Sequence, residues 1–253
     1  MDLPVNPFKK AIREGRQQIG IWNSLPYSLV VDILGHAGFD WILLDSEHTP
    51  VSIPDLLPCL QALEAHDVHA IIRPASNDPV IIKPLLDLGA LTLLVPWVQN
   101  ADEARAAVSA TRYGPAGIRG AASVTRASRY GTIPGYAARA SEEICLLVQV
   151  ETGEAIENIE AIAAVDGIDG IFIGPGDLAA NLGHPGEPLH PDVTTQIDAA
   201  IKRIVATGKP AGILSANQDF ARHAIETGTT FTAVGIDVGL LLGSAKALAQ
   251  SFR

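Results

Sequence analysis

Cysteine is nearly missing from this chain. There are two, Cys59 and Cys145, in 253 residues. Both lie in apolar runs, no C-x-x-C occurs, and one bridge at most could form. A disulfide framework is therefore excluded, and two buried, reduced thiols are expected. Aromatics are also scarce at 5%, and positive charge is in the minority: 18 Lys and Arg against 28 Asp and Glu, a formal net charge of −10. With no dense basic block, this balance argues against nucleic acid or an anionic membrane as the main partner. A small anionic substrate is still allowed, because a few local cations can attract one. No uninterrupted apolar run approaches the roughly 18–20 residues of a membrane span. The opening MDLPVNPFKKAIREG lacks the apolar core of a signal peptide. A soluble cytoplasmic protein is expected.

What the chain does have is aliphatic: 47% of its residues are hydrophobic, ample for one large core. A unit of amphipathic helix, glycine and short apolar strand recurs. It is seen at Gly38-Phe39-Asp40-Trp41-Ile42-Leu43-Leu44, and again from Gly89, Gly167 and Gly228. Glycine just past a helix C-terminus takes the left-handed conformation cheaply. The pattern gives eight strands, near 18–22, 41–45, 69–73, 92–95, 145–150, 170–173, 211–214 and 232–235. Helices are expected at 53–65, 80–88, 102–111, 154–165, 192–207, 218–227 and 237–250. Apolar strands alternating with helices imply a parallel sheet covered by helices. Eight such units in about 250 residues predict a single-domain (β/α)8 TIM barrel over 1–253; an open doubly wound sheet is the alternative. One connection is too long. Residues 112–136 carry Arg112, Arg119, Arg126 and Arg129, and read equally as a solvated cover or a substrate lid.

Barrels of this class keep their chemistry at the C-terminal ends of the strands. Those ends supply Asp45, Glu47 and His48, then Arg73, then Gln149 and Glu151, then Gly174-Pro175-Gly176-Asp177, then Ser215 and Asn217, and last Asp237. Glu151 and Asp177 could each be a helix cap. At the ends of adjacent strands, however, two carboxylates repel unless a cation lies between them. Oxygen ligands without cysteine or HxxH suit Mg2+ or Mn2+ in an open octahedral site. Gly174 to Ala180 resembles a dinucleotide fingerprint, but it follows the sixth strand rather than the first. The amides of Gly176 and Asp177 are better suited to a carboxylate. His48, with Asp45 and Glu47 near it, is an acid/base candidate. Arg73 ends the apolar strand AIIR, where it either makes a rim salt bridge or stabilises an oxyanion. Asp87 reads equally as an orienting acid or a surface one. His36, His66 and His69 are read as in or beside helices, His184 and His190 as loop residues, and His223 as helical; none is given a catalytic role.

The segments GFDWILLDSEHTP, PLLDLGALTLLVPWVQNADEA, TRYGPAGIRG and LVQVETGEAIENIEAIAAVDGIDGIFIGPGDLAANLG together resemble the class II, metal-dependent pyruvate aldolases. These include the 4-hydroxy-2-oxoheptanedioate and 2-dehydro-3-deoxyglucarate aldolases. The resemblance runs from Phe8 to Phe252. It implies Glu151 and Asp177 as metal ligands for Mg2+ or Mn2+, with Co2+ as a further option, and His48 as acid/base supported by Asp45 and Asp87. Arg73 would stabilise an enolate, Gln149 would lie near pyruvate, and the Gly176 region would hold its carboxylate. It also implies a homohexamer, a trimer of dimers, in which helix 237–250 is exchanged between subunits. Ser46 and Gly176 depart from the family's usual glycine and its usual alanine or serine, so a substituted pyruvate such as hydroxypyruvate is also considered.

The expected reaction is reversible cleavage of a 4-hydroxy-2-ketoacid to pyruvate and an aldehyde through an enolate. Trp22, Leu214 and the basic loop are candidates to shape the aldehyde pocket. No lysine ends a strand, so the Schiff-base route has no candidate nucleophile. The rival readings are a CoA-thioester lyase of the citrate-lyase-like group and a non-catalytic ketoacid-binding protein.

Overall fold

Short, mostly apolar runs recur eight times, and hydrogen bonding joins them edge to edge. In the computed structural model, which describes residues 2–253, the strands are β1 (Gln18–Asn23), β2 (Trp41–Asp45), β3 (His69–Arg73), β4 (Thr92–Val95), β5 (Cys145–Val150), β6 (Gly170–Ile173), β7 (Ala211–Leu214) and β8 (Thr229–Ile236). All pairings are parallel and in sequence order, and β8 closes on β1. The expected barrel is therefore formed, without an edge strand to protect.

The helices are α1 (Pro7–Arg13), α2 (Ser28–Gly35), α3 (Ile53–Leu63), α4 (Pro79–Asp87), α5 (Ala101–Thr111), α6 (Tyr136–Glu143), α7 (Gly153–Glu157), α8 (Ile159–Ala163), α9 (Pro175–Asn181), α10 (Pro191–Ala206), α11 (Gln218–Thr227) and α12 (Asp237–Gln250). Four of them, α1, α2, α6 and α9, lie outside the helices expected above. The run expected as one helix over 154–165 is two. Asn158 separates them, and its side-chain amide donates to Gln99 O at 2.9 Å. A turn of helix is spent on holding the loop after β4.

Two apolar layers hold the fold. Outward-facing strand residues such as Ile42, Ile72, Val148 and Ile171 pack under the helices. Inside the barrel, Trp22, Trp41, Leu43, Ile71, Leu94, Leu147, Phe172 and Phe231 fill the lumen with Phe8 and Ile12 of α1. Helix α1 closes the N-terminal mouth. Asn6 caps it by accepting from Lys9 N at 2.9 Å, and Asn6 Nδ2 donates to Leu91 O, Thr92 Oγ1 and Glu143 O. Phe8 then stacks on His69 at 5.4 Å. His69 is a strand residue, not a helical one, and burial drives its imidazole down to about 4, so it is neutral. Both cysteines are free and buried, as expected.

The long connection is not a lid over its own rim. It follows α5 and so lies at the opposite end of the barrel, where helices end. Ala127 N donates to Asp87 O at 3.1 Å, Arg126 reaches Leu88 O and Glu64, Arg119 pairs with Asp87, and Arg112 pairs with Asp166. Each arginine offsets carbonyls or acids at helix C-termini.

Helix α12 is the exception to the packing. Only Asp237 at its root is buried. Asp237 accepts from Ser24 N, Leu25 N and Asn23 Nδ2 at 2.7–3.0 Å. Beyond it, Leu240, Leu241, Leu242, Leu248 and Phe252 are exposed. Among the described residues no helix is long and apolar enough to cross a membrane.

Candidate active site

Parallel strands deliver their terminal side chains to one rim, and register decides which of them meet. Asp45 and Arg73 are direct partners across β2 and β3. Arg73 donates from Nε to Asp45 Oδ1 at 2.9 Å and from Nη2 to Asp45 Oδ2 at 2.6 Å. Its third nitrogen, Nη1, lies 2.7 Å from Glu47 Oε2. The guanidinium stacks over the Trp22 ring, 4.8 Å from its centroid, and the indole N–H donates to Asp45 Oδ2 at 3.2 Å. Burial opposes ionisation of Asp45, but the bonds and charge of Arg73 outweigh it and hold the carboxyl below its usual range. A planar cation gripped on two edges and one face is fixed in orientation.

Glu151 follows β5 and is buried. Its Oε1 accepts from Trp97 N at 2.8 Å, and its Oε2 accepts from Gln149 Nε2. Trp97 takes a left-handed backbone, φ 56°, which aims its N–H at the carboxylate. Gly174 leaves the space that Glu151 and Gln149 need: a Cβ there would lie 2.7 Å from Gln149 Nε2. Asp177, in the first turn of α9, faces the same space. Burial pushes Glu151 up to about 8, with the charges of Asp177 and Glu47 adding to the shift against the Trp97 and Gln149 hydrogen bonds. Burial also raises Glu47, with Asp45 and Asp177 adding to it against the pull of Arg73 and His48. Gln149 Oε1 is buried without a hydrogen-bond partner, and Glu47 Oε2 is buried with the Arg73 ion pair on it. Three carboxylates thus face a pocket that also holds the unfilled Gln149 Oε1, an all-oxygen set that a hard divalent cation fits.

His48 stands at the edge, its side chain 65% exposed, with Nε2 3.8 Å from Glu47 Oε2. Asp45 does not support it, because both oxygens of Asp45 serve Arg73. Nor does Asp87 within one chain: it ends α4, at the far end of the barrel, paired with Arg119 at 2.8 Å. Gly176 is open, with nothing within 4 Å of a Cβ built on it. Trp22 is buried under Arg73, and Leu214 packs against the luminal cluster. Beside Glu47 and Trp97 lies a cavity of about 540 Å³, lined by Ala75, Ser76, Asn77, Pro96, Glu103 and Ala106. Trp97 is not legible as a site residue from the sequence. Its part is played by a backbone N–H, and only the Pro96-Trp97 break after β4 hinted at an unusual conformation.

A barrel with its carboxylates and one fixed arginine at the strand ends is the scaffold of an enzyme. Residues 18–243 match the HpcH/HpaI aldolase/citrate lyase family, and the chain belongs to that family. It is 55% identical over 252 residues to a pyruvate aldolase of Rhizobium etli, covering 100% of this chain and 99% of the relative. It is 52% identical over 248 residues to a 4-hydroxy-2-oxo-heptane-1,7-dioate aldolase of Klebsiella pneumoniae, covering 98% and 94%. A crystal structure of an HpcH/HpaI aldolase/citrate lyase family protein from Burkholderia cenocepacia superposes with a TM-score of 0.95 at 34% identity, covering 98% of this chain and 100% of that one. The chain is a carbon–carbon lyase of the aldolase type.

Proposed function

We propose that this aldolase uses a divalent metal to cleave 4-hydroxy-2-ketoacids to pyruvate, or a substituted pyruvate such as hydroxypyruvate, and an aldehyde, and to join them in reverse. One observation carries the reading: Glu47, Glu151 and Asp177 face one pocket, where burial, with the charges of Asp177 and Glu47 adding to it, raises Glu151 to about 8. Glu151 and Asp177 would hold the ion. Their all-oxygen donor set favours Mg2+ or Mn2+, and Co2+ is also admissible. When bound, such an ion supplies Lewis acidity toward a ketoacid's carbonyl.

The chain's own residues do the rest. Arg73, immobilised by Asp45, Glu47 and Trp22, presents positive charge to the oxygen that becomes negative as an enolate forms. The first-turn amides of Gly176 and Asp177 have no carbonyl one turn back within α9 and would take the substrate carboxylate. Gln149, with its free Oε1, lies beside the ketoacid. His48, exposed at the rim, moves the proton to or from the aldehyde-derived hydroxyl, directly or through water. Trp22 and Leu214 bound the pocket from the lumen, and the cavity beside Trp97 gives the aldehyde's substituent room. Because Asp87 and Arg119 lie at the other end of their own barrel, Asp87 would support His48 only from a neighbouring copy. That fits a homohexamer, a trimer of dimers, with α12 exchanged between subunits. The buried free thiols are in keeping with a reducing cytoplasm.

The test is turnover of pyruvate with a panel of aldehydes, with Mg2+ or Mn2+ and with EDTA. Metal-restored activity is expected. Activity indifferent to EDTA would overturn the reading, as would pyruvate binding without deuterium exchange at its methyl group.

A further inference from the structure

On the outer face of the barrel, away from the rim, three more ligand-type side chains meet. Asp32 and His36 sit one turn apart near the end of α2, at positions i and i+4 that share a face. His66 follows α3. Their ligand atoms all lie within 4.8 Å of one another. His66 Nε2 is 2.8 Å from Asp32 Oδ1. The His36 ring stands edge-on to that of His66, with centroids 4.5 Å apart and planes at 86°.

We propose that Asp32, His36 and His66 form a second metal site, for a borderline transition ion of the zinc class, which clips α2 to the end of α3. Two imidazole nitrogens and one carboxylate oxygen suit Zn2+, Co2+ or Ni2+ rather than Mg2+ or Mn2+. The all-oxygen rim has the opposite preference, so the two ends of the molecule sort metals by ligand softness. A fourth position, open toward solvent beside the exposed His36, is left for water in a tetrahedral arrangement.

A second observation separates this cluster from a simple histidine–aspartate pair. Gly35 precedes His36, and a Cβ there would lie 2.6 Å from His66 Cδ2. Glycine is disfavoured in a helix relative to alanine. Here it lets the His66 ring lie directly against α2. The His66 side chain is only 8% exposed, so packing presets its plane before any ion arrives. The ion then displaces the hydrogen shared by His66 and Asp32 and gains His36 as its third protein ligand. The other histidine cluster, His184 and His190 with Asp192, is less suited. Its rings stack face to face at 3.6 Å, and His190 Nδ1 already accepts from Asp192 N to cap α10.

The experiment keeps the full-length protein in excess Mg2+, to fill the oxygen-lined rim, and titrates Co2+. Four-coordinate, nitrogen-ligated Co2+ absorbs visible light far more strongly than octahedral Co2+. A band saturating at one ion per chain is expected. His36→Ala and Asp32→Asn should each weaken binding by about tenfold or more, whereas His184→Ala should not change it. Zn2+ should raise the Tm of the wild type and not of His36→Ala. Mg2+-supported turnover should be the same in both proteins. Absence of the band overturns the proposal, as does a band that survives in His36→Ala or is lost in His184→Ala. Asp32 and His36 are surface residues, and far-UV circular dichroism checks that their variants fold. Because the readout is spectral, failure of this site and failure of the proposed aldol chemistry are told apart.

Discussion

Glu151 sets the most direct residue-level test. Its ordinary value is 4.5, and in the folded, metal-free chain it is raised to about 8. Between those values the folded state keeps a proton that the unfolded state has released. Stability of the metal-free protein therefore falls as pH rises from about 4.5 to about 8, and levels off above that. The slope is bounded by about 1.4 kcal/mol per pH unit. Urea unfolding in a chelator across this range should show the decline, and Glu151→Gln should flatten it. Arg73 gives a second prediction. Lysine cannot bond Asp45 on two edges, reach Glu47 and stack on Trp22 at once. Arg73→Lys is expected to lower kcat by about a hundredfold with a smaller change in KM, read by steady-state kinetics. Both residues were legible in the sequence because each ends an apolar strand. Their partners were less so: Asp45 stood near His48 in sequence, yet the β2–β3 register gives it to Arg73. The Trp97 amide could not be read at all, since its role comes from φ rather than from a side chain.

At the level of elements, the strands were found within a residue or two, apart from β8, which begins three residues earlier than expected, because continuous aliphatic runs after a glycine leave few alternatives. The helices missed are mostly short and tied by distant bonds. Helix α1 has seven residues and owes its position to Asn6, whose amide reaches residues 85–137 positions away. Asn158 breaks the helix after β5 for a bond to Gln99, which no local pattern announces. Gly174 joins this level to the site. It follows β6, and a methyl group there would collide with Glu151 and Gln149. Gly174→Ala is expected to cost about 1–3 kcal/mol of stability and to abolish metal-supported turnover, as measured by urea unfolding and by the aldehyde assay. The basic loop shows the limit of composition: its arginines read equally as a solvated cover or a substrate lid, but Arg112, Arg119 and Arg126 serve helix ends on the opposite face.

For the whole molecule, the unpacked arm is the main feature. Leu240, Leu241, Leu242 and Leu248 on α12 face solvent, a larger apolar stretch than a lone chain in water ordinarily carries. Assembly through this helix is expected, and the double substitution Leu241→Glu, Leu242→Glu should lower the mass seen by sedimentation. On the proposed reading, in which Asp87 serves the His48 of a neighbouring copy, the same variant should lose activity in step with assembly. The sequence suggested this arm only through resemblance; periodicity marked a helix there but did not reveal that it leaves its own barrel.

The crowded acids at the rim make the resting enzyme an ion exchanger. At neutral pH the pocket is not a bare nest of anions but a weak acid holding hydrogen where the catalyst belongs. Charging it swaps one occupant for another, so each load should acidify an unbuffered solution, and mild acid should strip the enzyme as a chelator does.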